Sequence, residues 1–374
     1  MTGSRGEYGY IRPVIKLMKE SAVLEPEVLA TNMHLLPEFG NSIDEFQRDN
    51  IYVDHKVYMT LSGYTNVTMA KSLGVFMLSF TDIMAGKSPD IILLAGDRGE
   101  QLVAALVGAH LNIPVAHIQA GELSGNIDGM SRHAIGRFAH IHFAANEDAA
   151  NRLIRSGEEP FRVHMVGAPQ LDEFVNGNIA LSETIAERFS LDLKKPVALV
   201  VQHPVTEQAA YAEQQMNATM QAMVSIGLQT VVIYPNNDAG SMAIQKCIKQ
   251  NRHVNIRVER NVSREVYAGL MKCSSVIVGN SSSGILEAPS FGLPAINIGR
   301  RQEGRFQGKN VINVKDHNAI EIETAIRKAL SKDFKDFLLG MDNPYGDGHS
   351  SERILDILET IHINEKLLFK KITY

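Results

Sequence analysis

The chain alternates short apolar runs with longer stretches in which apolar residues recur every three or four positions. This alternation predicts parallel β-strands joined by helical crossovers. Predicted helices include Arg98–Leu111, Arg132–Ala139 and Glu207–Ser225. The predicted strands form two series, with Asp90–Ala95, Pro114–Ile118, Ile141–Ala144 and Val163–Val166 in the first half and Val197–Gln202, Gln229–Tyr234, Val254–Val258, Ser275–Val278 and Pro294–Ile298 in the second.

Two such series predict an α/β protein with two doubly wound, Rossmann-like domains. Ligands of open α/β sheets bind at the carboxyl ends of the strands, so we expect a cleft between the two sheets. The first domain is predicted to cover residues 1–172 and the second residues 173–349. The last predicted helix returns to the first domain, so that residues 350–374 belong with it, and Lys366–Tyr374 is expected to be a loose tail. The chain opens on loop residues rather than on a strand, so we expect either a truncated start or a missing first strand. The Arg5 loop is then expected to lack its usual anchor.

The charge balance and the cysteine content narrow the choice of partner and compartment. A net charge of −5 and a pI near 6.2 argue against a nucleic-acid or anionic-membrane surface. No uninterrupted apolar run of about 18 residues is present, so no membrane span is expected. Two cysteines in apolar contexts indicate reduced thiols, and no signal peptide is visible, so we expect a cytoplasmic protein.

The segment Gly279–Arg305 carries the strongest chemical signal. Three serines, residues 281–283, follow a predicted strand and precede a helix predicted to begin near Gly284. Such a helix start binds anions through its free N–H groups. Glu287 can accept hydrogen bonds from a ribose diol, and Arg301 with its neighbours Arg300 and Arg305 can neutralise phosphate. The pattern favours a nucleotide-sugar, although the serines alone could merely cap a helix.

Polar clusters also follow the predicted strands of the first half. Arg5, in the glycine-containing TGSRGEYG loop, can clamp phosphate. In the segment GDR, Asp97 is predicted to cap a helix whose first residue is Arg98. These signals are weak when taken singly, since an ordinary βα turn with surface charges looks the same.

The segment HIQAGELSGNIDGMSRHA is richer in chemistry. Glu122 and Asp128 lie in a glycine-rich loop, and Arg132 and His133 follow on the next helix. Carboxyl groups held close together shift each other's pKa, which lets one stay protonated while another acts as a base. The alternative is a solvated loop with capping acids.

Two further clusters lie in the second half. His203, stiffened by Pro204, follows a strand in QHPVT, and Asn236 lies in the polar turn YPNNDAG. Each could be structural, as a satisfied histidine or an Asx-type helix start. Thirteen histidines show no HExxH or Cys/His ligand spacing, and GxSxG and GxxxxGK[ST] are absent. No metal and no cofactor are therefore expected.

The order and spacing of the motifs resemble those of the hydrolysing UDP-N-acetylglucosamine 2-epimerases of sialic acid and legionaminic acid biosynthesis. The motifs that carry this resemblance are TGSRGEYG, GDR, AGELSGNIDGMSRHAI, QHPVT, YPNNDAG, GNSSSG and GRRQEGR. The resemblance covers essentially the whole chain. It implies a GT-B-like fold with an interdomain active-site cleft, a UDP-sugar as substrate, and a homodimer or homotetramer. It also implies that UDP is eliminated to leave a 2-acetamidoglucal, to which water adds with inversion at C2.

The resemblance assigns roles to the residues that match its motifs. Gln119 stands where several relatives carry Glu and is therefore not counted as catalytic. The positions that match acid/base groups are Asp97, Glu122, Asp128 and His203. The positions that match substrate-binding groups are Arg5, Arg98, Arg132, His133, His203, Asn236, Ser281, Ser282, Glu287 and Arg301.

Several activities fit these observations. The leading interpretation is conversion of UDP-GlcNAc to N-acetylmannosamine and UDP. An enzyme of the same mechanism acting on UDP-2,4-diacetamido-2,4,6-trideoxyglucose is the nearest alternative, followed by a non-hydrolysing epimerase that keeps UDP on the product. A GT-B glycosyltransferase and a non-catalytic nucleotide-sugar binder represent other classes.

Overall fold

The structure, a computed structural model, describes residues 1–37, 42–63, 65–125, 127–175 and 179–374. It divides into two compact units. Unit 1 comprises residues 1–63, 67–176 and 345–374, and unit 2 comprises residues 64–66 and 177–344.

Unit 1 begins with a helix and then alternates strands with helices. Its elements, in chain order, are α1 (Arg5–Glu20), β1 (Leu29–Thr31), α2 (Ile43–Arg48), β2 (His55–Val57), α3 (Asn66–Lys87), β3 (Ile92–Ala95), α4 (Gly99–His110), β4 (Val115–Ala120), α5 (Ile127–Phe138), β5 (Ile141–Ala144), α6 (Glu147–Arg155), β6 (Val163–Met165) and α7 (Asp172–Val175). Strands β3, β4, β5 and β6 form a parallel sheet in that order, and β1 pairs with β2.

The opening residues occupy the place of the strand that we expected to be missing. Thr2 makes a parallel bridge to Ala30 of β1, and the amino group of Met1 donates to the carbonyl of Leu93 in β3. Backbone bonds from Thr2 to Leu29 and from Thr31 to Thr2 complete the pairing. The Arg5 loop is therefore anchored at both flanks, and the expectation of an unanchored loop is wrong.

Unit 2 is a second parallel α/β fold. Its elements are α8 (Ser182–Phe189), β7 (Val197–Val201), α9 (Ala212–Ile226), β8 (Gln229–Ile233), α10 (Ser241–Gln250), β9 (Ile256–Glu259), α11 (Arg264–Cys273), β10 (Val276–Gly279), α12 (Ser283–Leu286), β11 (Ala295–Ile298), β12 (Val311–Val314), α13 (Ala319–Leu330) and α14 (Lys332–Leu338). The strand order is β12-β11-β10-β7-β8-β9, so the chain reverses direction across the sheet between β7 and β10. Ligands bind at such a switch point.

Apolar strand residues fill the core of each unit between two helical layers. In unit 2, Val200, Val232 and Val278 pack with Met216 and Ile326 from α9 and α13. In unit 1, α1 covers one side of the sheet, while Phe76 and Phe80 of α3 lie in the cluster on the other side. Burial of these apolar surfaces supplies most of the driving force for folding.

The C-terminal segment belongs to unit 1 and is firmly held. Helix α15 (Ser350–Thr360) packs on α1, and α16 (Glu365–Leu368) follows it. The fully buried Arg162 donates to the carbonyls of Lys366, Leu367 and Phe369, which satisfies the end of α16. Lys370 bonds to the Glu158 carboxylate at 2.8 Å. The expectation of a loose tail is therefore wrong.

Helix α3 was not predicted, and it is unusually apolar. An 18-residue window in it has a mean hydropathy of 1.3, which by length and composition is enough for a membrane span. Its apolar residues do not form one uninterrupted run, since Lys71 and Asp82 interrupt them. The buried Phe76, Phe80 and Met84 point one side of the helix into the core of unit 1, which accounts for part of its apolar character.

Candidate functional site

Unit 1 has three polar loops at one edge of its strands. One follows Thr2, which bridges to β1, and the others follow β3 and β4. Ser4 caps α1, so the loop ends where Arg5 begins the helix. Glu7, one turn later, accepts a hydrogen bond from the backbone N–H of Gly3 at 2.6 Å and is 2% exposed. Burial, and next the nearby Glu100 carboxylate, raise the pKa of Glu7 well above its usual value. Arg5 itself is partly buried.

The GDR loop differs from the prediction in one respect. Helix α4 begins at Gly99, and its cap position is Arg98 rather than Asp97. The predicted capping role of Asp97 is therefore wrong. The Arg98 Nε atom instead lies 3.2 Å from the buried Glu100 carboxylate. This arrangement leaves the Asp97 side chain turned toward α5.

Asp97, Glu122 and Arg132 form a compact ionic cluster, which we call the acid–arginine cluster. The Arg132 guanidinium bonds to Asp97 and lies 3.6 Å from a Glu122 oxygen. The side chains of Arg132 and Glu122 are 1% and 2% exposed, and that of Asp97 is 19% exposed. Ser124 contributes a longer hydrogen bond to Asp97 at 3.4 Å. Two carboxylates therefore share one buried cation, and one of them reaches solvent.

The other two candidates of this loop lie on α5. Asp128 is in its first turn, four residues before Arg132, and is partly buried. His133 follows Arg132 on the exposed side of the helix. Desolvation, and next the Arg132 charge, lower the pKa of His133, so the ring is neutral at physiological pH.

Unit 2 joins three loops at the switch point through one residue, Asn280. Its side-chain oxygen accepts from the backbone N–H of His203 at 2.7 Å, and its side-chain nitrogen donates to the His203 carbonyl at 2.9 Å. Its own carbonyl accepts from Arg301 at 3.3 Å and from Gln302 at 3.0 Å. Asn280 lies in the GNSSSG motif, yet it was not among the predicted site residues.

His203 is held in one orientation by a fourth loop, which follows β8. The backbone N–H of Asn236 donates to His203 Nδ1 at 3.1 Å. In the neutral ring the proton therefore lies on Nε2, which is then a hydrogen-bond donor. The Asn236 side chain is itself held by Asp238 at 2.5 Å.

A helix begins near Gly284, as predicted, and it is short. Helix α12 spans Ser283–Leu286, and a 3₁₀ turn from Ala288 to Phe291 follows Glu287. Pro289 has no backbone N–H, so the α-helical hydrogen bonding does not continue through it. Ser281 and Ser282 are partly exposed, while Glu287 is 4% exposed.

Comparisons with known proteins place this geometry in a family. Residues 16–359 match the model of the family described as UDP-N-acetylglucosamine 2-epimerase. A protein of Legionella pneumophila, named UDP-N,N′-diacetylbacillosamine 2-epimerase (hydrolyzing), is 37% identical over 99% of this chain and 97% of its own. A UDP-N-acetylglucosamine 2-epimerase of Neisseria meningitidis is 32% identical over 88% of this chain and 86% of its own.

A solved structure supports the fold. The UDP-GlcNAc 2-epimerase from Neisseria meningitidis bound to UDP-GlcNAc superimposes with a TM-score of 0.80 at 19% identity, covering 95% of this chain and 97% of that one. The α/β, GT-B-like fold class predicted from sequence is confirmed. The protein is thus a nucleotide-sugar enzyme of two Rossmann-like units. It belongs to the UDP-N-acetylglucosamine 2-epimerase family and is a hydrolysing UDP-sugar 2-epimerase.

Proposed function

We propose that this enzyme cleaves UDP from a UDP-linked 2-acetamido sugar while inverting C2, by elimination followed by hydration. The observation that carries the proposal is the acid–arginine cluster of Asp97, Glu122 and Arg132, which follows two strands of unit 1. The C2 proton of such a sugar is weakly acidic, so its removal needs a positioned base. The cluster supplies two carboxylates, Asp97 and Glu122, which the Arg132 guanidinium holds in place.

The departing UDP needs donors that absorb its growing negative charge. We assign this task to unit 2, where His203 presents an Nε2–H donor at the switch point. Ser281 and Ser282 lie in the loop after β10, Asn236 in the loop after β8 and Arg301 in the loop after β11. We assign these residues to the same anion, and Glu287 to the ribose hydroxyls. Arg5 and Arg98 are assigned to the diphosphate from unit 1, and His133 to the sugar.

Within the acids, we assign proton removal at C2 to Glu122 or Asp128. Another acid, Asp97 among the candidates, delivers water or a proton to the glycal. Coupled carboxyl groups titrate as a set, so their roles are separated by kinetics rather than by a single pKa. The proposed site needs no metal, and within the described residues no three His, Cys, Asp or Glu side chains are grouped to hold one.

For the sugar, we propose UDP-N,N′-diacetylbacillosamine, the diacetamido trideoxy sugar, as the first substrate to test. Support comes from the relative of that name, which matches over nearly the whole chain. UDP-GlcNAc, the leading prediction from sequence, is the second candidate and is supported by the Neisseria relative. We further propose a cytoplasmic homodimer or homotetramer.

A competition assay tests the substrate. Both UDP-sugars are supplied together at equal, sub-saturating concentrations, and the two free sugars are quantified by chromatography with UDP release. We expect faster consumption of the diacetamido sugar, measured as a higher kcat/KM. Preferential release of N-acetylmannosamine would reverse the assignment, and release of neither sugar would refute both.

A further inference from the structure

Helix α11 carries two polar side chains toward the nucleotide loops, although neither lies in a predicted motif. Arg264 is its first residue, and Tyr267 follows one turn later. Residues three apart share a helix face, so both side chains reach the same neighbours. Those neighbours are the serine segment and Glu287.

The first contact is a chain of three hydroxyl groups. The Tyr267 hydroxyl lies 2.5 Å from Ser283 Oγ, which in turn lies 2.9 Å from Ser281 Oγ. The backbone N–H of Ser283 also donates to Ser281 Oγ, at 3.3 Å. Burial, and next the charge of Glu287, raise the pKa of Tyr267, so the phenol keeps its proton.

The number of protons available fixes which hydroxyl group donates in each of these hydrogen bonds. A hydroxyl group has one proton to donate and two lone pairs that accept. Ser283 Oγ donates to Ser281 Oγ. With that single proton used, the protonated Tyr267 phenol is the donor of the contact with Ser283. Ser281 accepts from both the hydroxyl and the N–H of Ser283, and its side chain also bonds to Tyr267. The three hydroxyl groups therefore hold the partly exposed Ser281 side chain in one position.

The second contact is an ion pair. Arg264 Nη1 lies 3.8 Å from Glu287 Oε1, and the two side chains are 15% and 5% exposed. A guanidinium at this distance attracts the carboxylate and restrains its position. A carboxylate has two oxygens that can accept from a pair of ribose hydroxyls.

We propose that Arg264 and Tyr267 are positioning residues of the nucleotide site. Tyr267 holds the Ser281 hydroxyl in place to contact a phosphate oxygen, and Arg264 holds the Glu287 carboxylate for the ribose hydroxyls. This inference rests on the proposed function, because it takes the serine segment and Glu287 as the site that binds UDP. Neither residue touches the reacting atoms.

Calorimetric titration with UDP tests the role of Tyr267. Tyr267→Phe removes one hydroxyl and is expected to weaken UDP binding about three- to tenfold, the effect of one neutral hydrogen bond. The same substitution in a Ser281→Ala background is expected to cost nothing further, because the hydroxyl that Tyr267 positions is already gone. Tyr52→Phe, at a 77% exposed tyrosine of unit 1, is the matched control and should bind as wild type.

A ribose-modified nucleotide tests the role of Arg264. Arg264→Ala is expected to weaken UDP binding about tenfold but to leave 2′,3′-dideoxy-UDP binding unchanged, since that analogue lacks the hydroxyls. Arg264→Lys, which keeps the charge, should restore part of the loss. Arg327→Ala is the control, because Arg327 is exposed and pairs only with surface Glu323 at 2.6 Å among the contacts described.

The outcomes separate this inference from the proposed function. If wild-type protein binds UDP and Tyr267→Phe or Arg264→Ala binds it equally well, the positioning role is refuted and the proposed function stands. If the losses persist undiminished with Ser281→Ala or with the dideoxy nucleotide, the two residues act only on folding, which also refutes the role. If wild-type protein binds no UDP, the proposed function itself fails.

Discussion

The two units place their polar loops in similar positions but connect those loops with different chemical groups. Each collects polar loops at the carboxyl ends of parallel strands, and in unit 2 the chain reverses direction across the sheet at that point. In unit 1 the loops are joined by charges, with Arg132 between Asp97 and Glu122. In unit 2 they are joined mainly by neutral groups, with Asn280 bonded to the backbone of His203.

This difference matches a division of labour between the units. Carboxyl groups that share a cation can exchange protons with a substrate, which elimination and hydration both require. Neutral donors held by backbone contacts bind an anion without first giving up a counter-ion of their own. We therefore expect substitutions in unit 1 to affect turnover most, and substitutions in unit 2 to affect UDP affinity most.

The largest effect is expected from the acids of unit 1. Glu122→Gln and Asp97→Asn should each lower kcat by about 100-fold or more, the usual contribution of a general acid or base. UDP affinity should stay within about twofold, because the amide keeps the side-chain volume. Steady-state kinetics and calorimetry on the same preparations measure both. Full turnover in both variants would remove the acid–arginine cluster from the mechanism.

Arg132 should matter for stability more than any residue of the unit 2 network. Arg132→Met leaves two carboxylates without their shared cation, and breaking such a buried pair costs about 3–5 kcal/mol. Urea denaturation monitored by circular dichroism measures the loss in the free energy of unfolding. A change below about 1 kcal/mol would show that solvent, through the partly exposed Asp97, already compensates these charges.

Asn280 provides the matched test in unit 2. Asn280→Ala removes both side-chain bonds to His203 and is expected to destabilise the protein by about 1–3 kcal/mol. UDP affinity should fall about tenfold or more, because His203 loses its fixed position, while kcat at saturation changes less. Equal losses of kcat for Asn280→Ala and Glu122→Gln would contradict the division of labour.

Arg301→Ala should weaken UDP binding with a smaller effect, about three- to tenfold, which diminishes at high salt. The reason is that its Nη1 atom is already engaged with the Asn280 carbonyl at 3.3 Å. Calorimetry at two ionic strengths measures the effect. Unchanged affinity at low salt would argue against a phosphate contact.

The smallest expected effect is on the pH dependence of the free energy of unfolding. It involves His34, which contacts Thr2 at the start of the Arg5 loop. His34 bonds to Thr2 and Ser42, and burial with the nearby Arg5 charge lowers its pKa to about 3. Its stabilising effect is complete above pH 6.5 and is lost as the pH falls toward 3, because only the unfolded state gains the proton. At pH 5.5 the loss is about 1.4 kcal/mol.

His34→Gln should therefore flatten the pH dependence of unfolding between pH 7.5 and 5.5 by that amount. Urea denaturation at both values, for wild type and variant, provides the measurement. Parallel curves would show that His34 does not titrate on unfolding.

The sequence predicted strands well and long-range contacts poorly. The runs Ile141–Ala144 and Val197–Val201 were recognisable because fully buried parallel strands are continuously apolar. The three-residue strands β1 and β2 carry no such signal, and Thr2 becomes strand-like only by pairing with Ala30. Helix α3 was not predicted because its apolar residues are spread around the whole helix, so the sequence shows no single apolar stripe.

The same limit applies to the site. Motif loops could be found because polar residues follow apolar strands, and they yielded the three members of the acid–arginine cluster. Arg264 and Tyr267 could not be found in this way, since they lie on an ordinary amphipathic helix and acquire meaning only through Glu287 and Ser283. Their contacts are set by packing of α11, which periodicity does not reveal.

The most direct test of the account is the reaction in deuterated water, followed by proton NMR with each UDP-sugar in turn. Elimination and hydration predict a free sugar inverted at C2 and carrying deuterium there, with UDP released in equal amount. A free sugar that retains its C2 proton would contradict the proton transfer assigned to unit 1. An epimerised sugar still attached to UDP would contradict the hydrolytic step.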